Sequence, residues 1–221
     1  MAIGFSNIPA DIRVPLFYAE MDNSAANSAS SAMRRLIVAQ VNDNVAPAEV
    51  GKLVLVSSVA LAKNIGGQGS MLASMYETWR KTDPLGEVWC LPLHNVEGAI
   101  AQGVLTFTGA ATESGVLNLY VGGVRVQAAI VNGATAAQAA SALALKINAA
   151  ADLPVTAASA EGVVTLRAKW TGDSGNDISL QFNRLGKSNG ENTPAGLTTA
   201  ITAMTGGAGC AGPDRCRCGP G

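Results

Sequence analysis

The stretch VLNLYVGGVRVQAAI, residues 116–130, decides the fold of the second half of this chain. From Val116 to Val121 apolar side chains alternate with more polar ones, which is the pattern of a strand with one buried face. Gly122 and Gly123 then supply the positive φ angles that a two-residue hairpin turn needs. The alternation returns over 124–130, so the stretch predicts a β-hairpin.

From about residue 98 to 207 the sequence around this hairpin has a similar composition, rich in Gly, Ala and Thr. Residues 103–109, 163–170, 176–182 and 197–204 read as further strands. Residues 133–150 read as a helix with one apolar stripe. The stripe consists of Ala137, Ala140, Leu143, Ala144 and Ile147. We expect residues 98–207 to form a self-contained, β-rich α+β domain.

A different pattern precedes this domain, over residues 33–97. Near-continuous apolar runs at Leu36–Val41, Leu53–Val56 and 87–93 predict strands that are covered on both faces. Two helical pieces lie between the second and third runs. Strand, strand, helix, strand predicts an α/β layer that is only half built when the α+β domain interrupts it.

The two helical pieces have recognisable ends. Ser57 or Ser58 can cap the first, the GGQG at 66–69 breaks it, and Ser70 can cap the second. Within the second piece, four residues recur at helical spacing, and Pro84 with Gly86 ends the run. These four are Met71, Met75, Thr78 and Trp79.

The first segment, residues 1–32, lacks helical periodicity, and its two prolines favour extended backbone. It nevertheless carries a cluster of large apolar side chains that a solvated leader would rarely contain. The cluster consists of Val14, Leu16, Phe17 and Tyr18. We expect an extended arm that lies on another surface.

Composition excludes several classes of partner. A net charge of −1 across 221 residues provides no basic footprint for nucleic acid or an anionic membrane. The first residues show no basic stretch leading into an apolar core, as a secretory signal would. We therefore expect synthesis in the cytoplasm of the producing cell, with no nucleic acid and no membrane as partner.

Residues that could carry chemistry are scattered. His94 is the single histidine, with no nearby nucleophile in sequence, and we interpret it as a residue at a domain junction. Glu77, Glu87 and Glu113 form no pair suited to acid–base catalysis. Cys90 lies in an apolar strand, where a buried, inert thiol is the expectation.

Two glycine-containing motifs have both a functional and a structural interpretation. GGQGSM, residues 66–71, resembles half of a dinucleotide fingerprint, but it stands between two helical pieces and lacks the third glycine. Asp173–Asp177 has the oxygen ligands of a calcium loop without its downstream glutamate. We interpret the first as a helix break and the second as a turn, so we expect no cofactor, no metal and no enzymatic activity.

Longer phrases carry a family resemblance. FSNIPADIRVPLFYAEMDNSAA at 5–26 and RRLIVAQV at 34–41 are two of them. GQGSMLASMYETWRKTDPLGEVWCLPL at 67–93 and GVLTFTGAATESGVLNLYVGGVRVQ at 103–127 are two more. Together they resemble the tail sheath proteins of Mu-like contractile-tailed phages and prophages, from residue 1 to about 209.

The resemblance implies a structural subunit of the virion, without catalytic residues, that assembles with neighbouring sheath subunits around a tail tube protein. It implies that the arm containing Val14, Leu16, Phe17 and Tyr18 adds a strand to a neighbouring subunit. It also places the α/β layer at the inner sheath wall and the inserted domain outside it. Two alternatives stay open: another tail tube or baseplate component, and a ligand-binding module built from the α+β domain alone.

The last residues depart from the family pattern. Residues 208–221 run into Cys, Arg, Gly and Pro where the resemblance implies an Ala- and Leu-rich helix. A one-nucleotide shift of reading frame converts a helix of that kind into this sequence. Cys210, Cys216 and Cys218 supply three thiols where a structural zinc needs four ligands. We expect a non-native, disordered tail and a truncated sheath subunit that cannot assemble by itself, rather than a zinc site or a disulfide framework.

Overall fold

The computed structural model describes residues 35–45, 50–94 and 98–209. All of them belong to one compact unit that begins at Arg35. The predicted arm, and the predicted tail from Cys210 onward, lie outside the described residues.

The described residues form three β-sheets and three α-helices, which confirms the mixed α/β character predicted from the sequence. In chain order the elements are β1 (Arg35–Gln40), β2 (Val54–Leu55), α1 (Val59–Gly66), α2 (Met71–Thr82), β3 (Val88–Leu93), β4 (Ile100–Gly109), β5 (Gly115–Val121), β6 (Val124–Ile130), α3 (Ala136–Ala149), β7 (Val155–Ala160), β8 (Val163–Thr171), β9 (Leu180–Phe182) and β10 (Leu197–Thr205).

The first sheet has the strand order β1-β3-β2, with β3 parallel to β1 and antiparallel to β2. One face of this sheet packs on α1 and α2 around a core of its own. Ser58 and Ser70 cap the two helices by accepting hydrogen bonds from backbone N–H groups in their first turns, as predicted. These strands and helices are the expected elements of the α/β layer.

The strands of the first sheet have apolar runs typical of strands covered on both faces, but in the described residues only one face is covered. Along β1, Ile37 and Ala39 are buried while Leu36 and Val38 are more than two-fifths exposed. The layer therefore has one open face, because both helices pack on the other one.

Helix α2 is confirmed, but its buried side differs from the stripe suggested by the sequence. The residues it buries are Leu72, Ala73 and Tyr76. Met75 and Trp79 are both more than a third exposed. The two stripes have the same helical period, so spacing alone does not choose between them.

The predicted hairpin is confirmed. β5 and β6 pair in antiparallel register from Gly115↔Ile130 to Val121↔Val124, joined by the two-residue turn Gly122-Gly123. Gly122 has φ +56° and Gly123 has φ +84°, the left-handed values that a tight hairpin requires. With β9 the hairpin forms a sheet in the order β6-β5-β9.

A four-stranded antiparallel sheet, ordered β10-β4-β8-β7, completes the second part of the fold. Two details differ from the sequence prediction. β7 was not predicted, because Val155–Ala160 is mostly Ala, Ser and Thr and has little apolar alternation. The strand expected over 176–182 is reduced to Leu180–Phe182, because Asp173–Asp177 forms a 3-10 turn.

Helix α3 packs its small side chains into the larger hydrophobic core, which is distinct from that of the first sheet. Thr135 and Gln138 form a reciprocal capping box at its start. Of the predicted stripe only Ala137 is wrong: it is exposed, and Ala139 is buried in its place.

The two ends of this second part lie side by side. The Ala99 N–H donates to Ala208 O at 2.8 Å, and the Ala208 N–H donates back to Ala99 O at 3.2 Å. The chain therefore enters and leaves the segment between these residues at one place. Ala208, which was predicted to belong to the tail, is instead part of this closing bridge.

We predict that Leu143→Ala lowers the free energy of unfolding by about 2–5 kcal/mol, because it leaves a cavity under α3 where Leu143 is fully buried. Ser141→Ala is the matched control: Ser141 is exposed on the same helix, so the change should be close to neutral. Urea unfolding followed by circular dichroism measures both. Equal effects of the two changes would contradict the assigned core.

Candidate functional site

The predicted arm residues Val14, Leu16, Phe17 and Tyr18 lie outside the described residues. Their role at a subunit interface therefore stays a prediction. The surfaces described below belong to the compact unit that begins at Arg35.

The scattered acidic residues make local contacts. Glu87 accepts a hydrogen bond from Trp89 Nε1 at 2.6 Å, and Glu113 accepts one from the Ala195 N–H at 3.0 Å. Glu77 lies 3.9 Å from Lys81, one helical turn away. The model does not bring these three carboxylates together, and His94 lies half-buried just after β3.

Cys90 is fully buried in the central strand β3. Burial raises the pKa of this thiol to about 11, and the nearby Arg80 opposes the rise only in part. Because the thiolate is the reactive form, Cys90 is an inert packing residue, as the sequence predicted.

The two glycine motifs also have structural roles. At Gly69 (φ +75°) a Cβ atom would stand 2.1 Å from Leu153 O, so only glycine fits. In the Asp173–Asp177 turn both aspartates are exposed. Asn176 binds the Gly207 backbone in both directions, at 2.8 and 3.0 Å. The motifs are a helix break and a turn, and no group of three or more potential metal ligands occurs among the described residues.

Gly69 lies on a polar seam between the α/β layer and the inserted segment. Gln40 donates to Thr171 O at 3.1 Å and accepts from the Ser174 hydroxyl, while Lys63 pairs with Asp152 at 2.8 Å. Such a seam holds by hydrogen bonds and charge rather than by a shared apolar core, which is typical of contacts between domains of one chain.

Lys169 is the central cation of this seam. Its ammonium donates to Gln68 O at 3.0 Å and to Ala151 O at 2.6 Å. Partial burial lowers its pKa, and the attraction of Asp152 opposes that shift. Beside it a cleft of about 540 Å³ is lined by residues of both parts, including Asn42.

The open face of the first sheet is the most distinctive surface of the described residues. We use this name for the side chains that project from the sheet opposite α1 and α2: Leu36, Val38, Leu53, Leu55, Trp89 and Leu91. Across the strands Leu36 and Leu55 both lie beside Trp89. Exposed apolar groups gathered on one patch mark an interaction surface.

The open face is held rigidly from behind by Tyr76 and Arg80. The Tyr76 hydroxyl donates to Val56 O at 2.8 Å, and Arg80 Nε donates to that hydroxyl at 2.7 Å. Arg80 also donates to Gly86 O at 2.7 Å. This arrangement ties α2 to the end of β2 and to the turn before β3. Sequence reasoning missed it, although a Tyr and an Arg four residues apart on a helix are within reach of each other.

A second polar arrangement, centred on Glu191, organises the loop between β9 and β10. Glu191 is buried and accepts hydrogen bonds from the Tyr120 hydroxyl and, at 2.9 Å, from the Leu185 N–H. Arg125 lies 3.4 Å away. Burial opposes ionisation of Glu191, but these three donors outweigh it and hold the pKa of the carboxyl below its ordinary value. The same hydrogen bond raises the pKa of Tyr120.

Comparison with known proteins shows one similar protein. No protein-family model matches the chain. Over 210 residues, 94% of its length, it is 37% identical to the Mu-like prophage FluMu tail sheath protein of Haemophilus influenzae. This chain is similar in sequence to that tail sheath protein over nearly all of its own length. The resemblance inferred from sequence is confirmed.

The two proteins differ in length. The chain spans 42% of the FluMu tail sheath protein. Among the described residues of this chain, no helix is both long and apolar enough to cross a membrane.

We predict that the double change Leu36→Lys and Leu55→Lys increases solubility and lowers the fluorescence of a dye that binds exposed apolar surface. Both side chains are already about half exposed, so the thermal midpoint should hardly change. The control is Ile37→Lys, which places a charge in the core and should unfold the layer. Unchanged dye binding in the double variant would show that the open face is not the exposed apolar surface.

We also predict an acid-dependent role for Glu191. The pKa of Glu191 in the native state is lower than its ordinary value of 4.5. At pH values around these two pKa values, the native state therefore binds fewer protons than the unfolded state. Its contribution to stability is therefore complete above pH 4.5 and is lost as the pH falls through the lower native pKa.

Glu191→Gln should be less stable than the unaltered chain at pH 7 and should lose less stability on acidification. Glu161→Gln, at an exposed turn, is the control and should keep the original pH profile. Thermal unfolding between pH 3 and 7 measures both. Parallel pH profiles for Glu191→Gln and the unaltered chain would refute the role of the carboxylate.

Proposed function

We propose that this chain is part of a non-enzymatic structural subunit of a contractile phage tail sheath, and that the longer protein assembles with copies of itself around a tail tube in the virion. The observation that carries the proposal is the 37% identity to a tail sheath protein across nearly the whole chain. The scattered local contacts of the acidic residues and the inert Cys90 are consistent with a structural role.

The open face supports an assembly role. A parallel pair such as β1 and β3 is normally covered on both faces. Here Leu36, Val38 and Leu55 remain exposed. The relative is more than twice as long as this chain, so it contains further residues that could complete the layer. We propose that in the longer protein such residues cover the open face, and that residues 98–207 are a domain inserted into that layer.

The N-terminal segment has a proposed role as an inter-subunit arm. Val14, Leu16, Phe17 and Tyr18 combine apolar chemistry with a sequence context that favours extended backbone. An extended apolar segment can add a strand to a neighbouring sheet, with main-chain hydrogen bonds giving affinity and alternate side chains giving specificity. We propose that these four residues contact a neighbouring sheath subunit.

Co-assembly tests the proposal. We expect labelled chain, mixed with full-length Mu-like tail sheath protein during assembly, to co-sediment with the striated hollow tubes seen by electron microscopy. A variant with Val14, Leu16, Phe17 and Tyr18 all changed to Ser should co-sediment several-fold less, because it loses the apolar contacts of the arm.

The matched control is Val131→Asp, an exposed position in the inserted segment, which should co-sediment like the unaltered chain. Retention of the unaltered chain no greater than that of an unrelated protein would refute the sheath role. Full retention of the four-serine variant would refute only the role of the arm.

A further inference from the structure

The four-stranded sheet β10-β4-β8-β7 has two edges whose backbone groups differ in their partners. At the β7 edge, Asn148 of α3 donates from Nδ2 to Ala157 O at 2.8 Å. Its Oδ1 accepts from the Ala157 N–H at 2.9 Å. One side-chain amide thus takes the place of a neighbouring strand, so the middle of this edge is closed.

At the β10 edge, outward backbone groups have no partner among the described residues. This follows from the register of β10 with β4. Phe107 of β4 donates its N–H to Gly162 O at 2.8 Å, on the β8 side. Both backbone groups of a residue in an antiparallel ladder point to the same side, so Phe107 does not bond to its partner Thr199. Thr199, and Ile201 two residues on, therefore direct N–H and C=O away from the sheet. Within the described ranges no side chain caps these groups as Asn148 caps β7.

β10 also lacks the usual protection of an edge strand. From Leu197 to Thr205 it contains neither a charged residue nor proline. Thr198 and Ala200 to Ala203 are exposed. A bulge between Thr202 and Thr205 limits the regular edge to Leu197–Thr202. A neutral, β-branched edge of this kind pairs readily with another strand.

Two of the other described edges of the inserted segment are unsuitable partners for β10. β7 is closed by Asn148, and β9 has only three residues. β6 is an edge strand of seven residues. Val121 and Val124 flank the two-residue turn and bond to each other, so the alternate residues Arg125, Gln127 and Ala129 point their backbone groups outward.

We propose that β10 of one copy of this chain pairs with β6 of a second copy, joining the four-stranded sheet of one inserted segment to the three-stranded sheet of the next. Charge is compatible with this pairing, since β10 is neutral and Arg125 is held by Glu191 at 3.4 Å. The inference rests on the proposed sheath function, which brings many copies close together.

The two strands of this contact are different surfaces, so it is a head-to-tail contact. Each copy can give β10 and receive on β6 at the same time, and the arrangement continues rather than closing on a pair. A strip of about six residue pairs is smaller than a stable interface requires, so the contact forms at high local concentration.

Hydrogen exchange of the purified full chain, measured by mass spectrometry at low and high concentration under reducing conditions, tests the proposal. Peptides covering β10 and β6 should both exchange about tenfold more slowly at high concentration. Thr199→Pro removes an outward N–H while leaving the β4 ladder intact. In this variant we expect β6, which is itself unaltered, to lose its concentration-dependent protection.

Two further variants complete the design. Ala129→Pro removes an outward N–H on β6 and should abolish the protection of β10. Ser159→Pro makes the same change on the closed β7 strand and should leave both protections unaltered. Circular dichroism verifies that each variant is folded.

Protection of β10 but not β6 would indicate that β10 pairs with itself and would overturn the proposal. Absence of concentration-dependent protection, or its survival on β6 in Thr199→Pro, would overturn it as well. Co-assembly into tubes while both strands still exchange freely would refute this contact and leave the sheath function standing.

Discussion

The pairing of Ala99 with Ala208 is the constraint on which the rest of the described structure depends. These two backbone hydrogen bonds bring together residues more than a hundred positions apart. Ala99 comes shortly after β3, and Ala208 comes shortly after β10. Because the crossing is so narrow, the layer and the inserted segment each build a separate hydrophobic core. The contacts between the two cores are polar and involve Gln40, Lys63 and Lys169. One compact unit can therefore contain both an α/β layer and a β-rich α+β part, because each has its own core and polar contacts join them.

The α/β layer has one buried face and one exposed apolar face. Its helices bury one face of the sheet, and Tyr76 with Arg80 fixes α2 against the strand ends. The other face keeps Leu36, Val38 and Leu55 in contact with solvent. An apolar surface held in place by a buried polar arrangement is prepared for a partner, since binding need not first order the sheet. This preparation is consistent with the proposed role in assembly.

Much of the fold could be predicted from sequence because local signals were strong. The Gly122-Gly123 turn and the capping serines Ser58 and Ser70 each have one dominant structural meaning. The choice of buried face on α2 could not be predicted, because two stripes of equal period compete and only the packed sheet selects Leu72 and Tyr76. β7 lacked the large β-branched residues that identify strands.

The candidate surfaces were harder to predict than the fold. An apolar run such as LIVAQV looks alike whether a strand is covered on both faces or on one, so the run alone does not show which side chains stay exposed. Contacts that join distant positions, such as Tyr120 with Glu191, leave no periodic trace in sequence. The arm residues Val14, Leu16, Phe17 and Tyr18 remain a prediction from chemistry and resemblance.

The narrow crossing at Ala99 and Ala208 also has an evolutionary consequence. A recombination event that replaced everything between these two residues would leave Ala99 and Ala208 at their original separation. Only the polar contacts of the seam would have to be re-formed, and hydrogen bonds adapt to new side chains more easily than a packed core does. The segment between Ala99 and Ala208 can therefore diverge at its own rate while the α/β layer changes slowly.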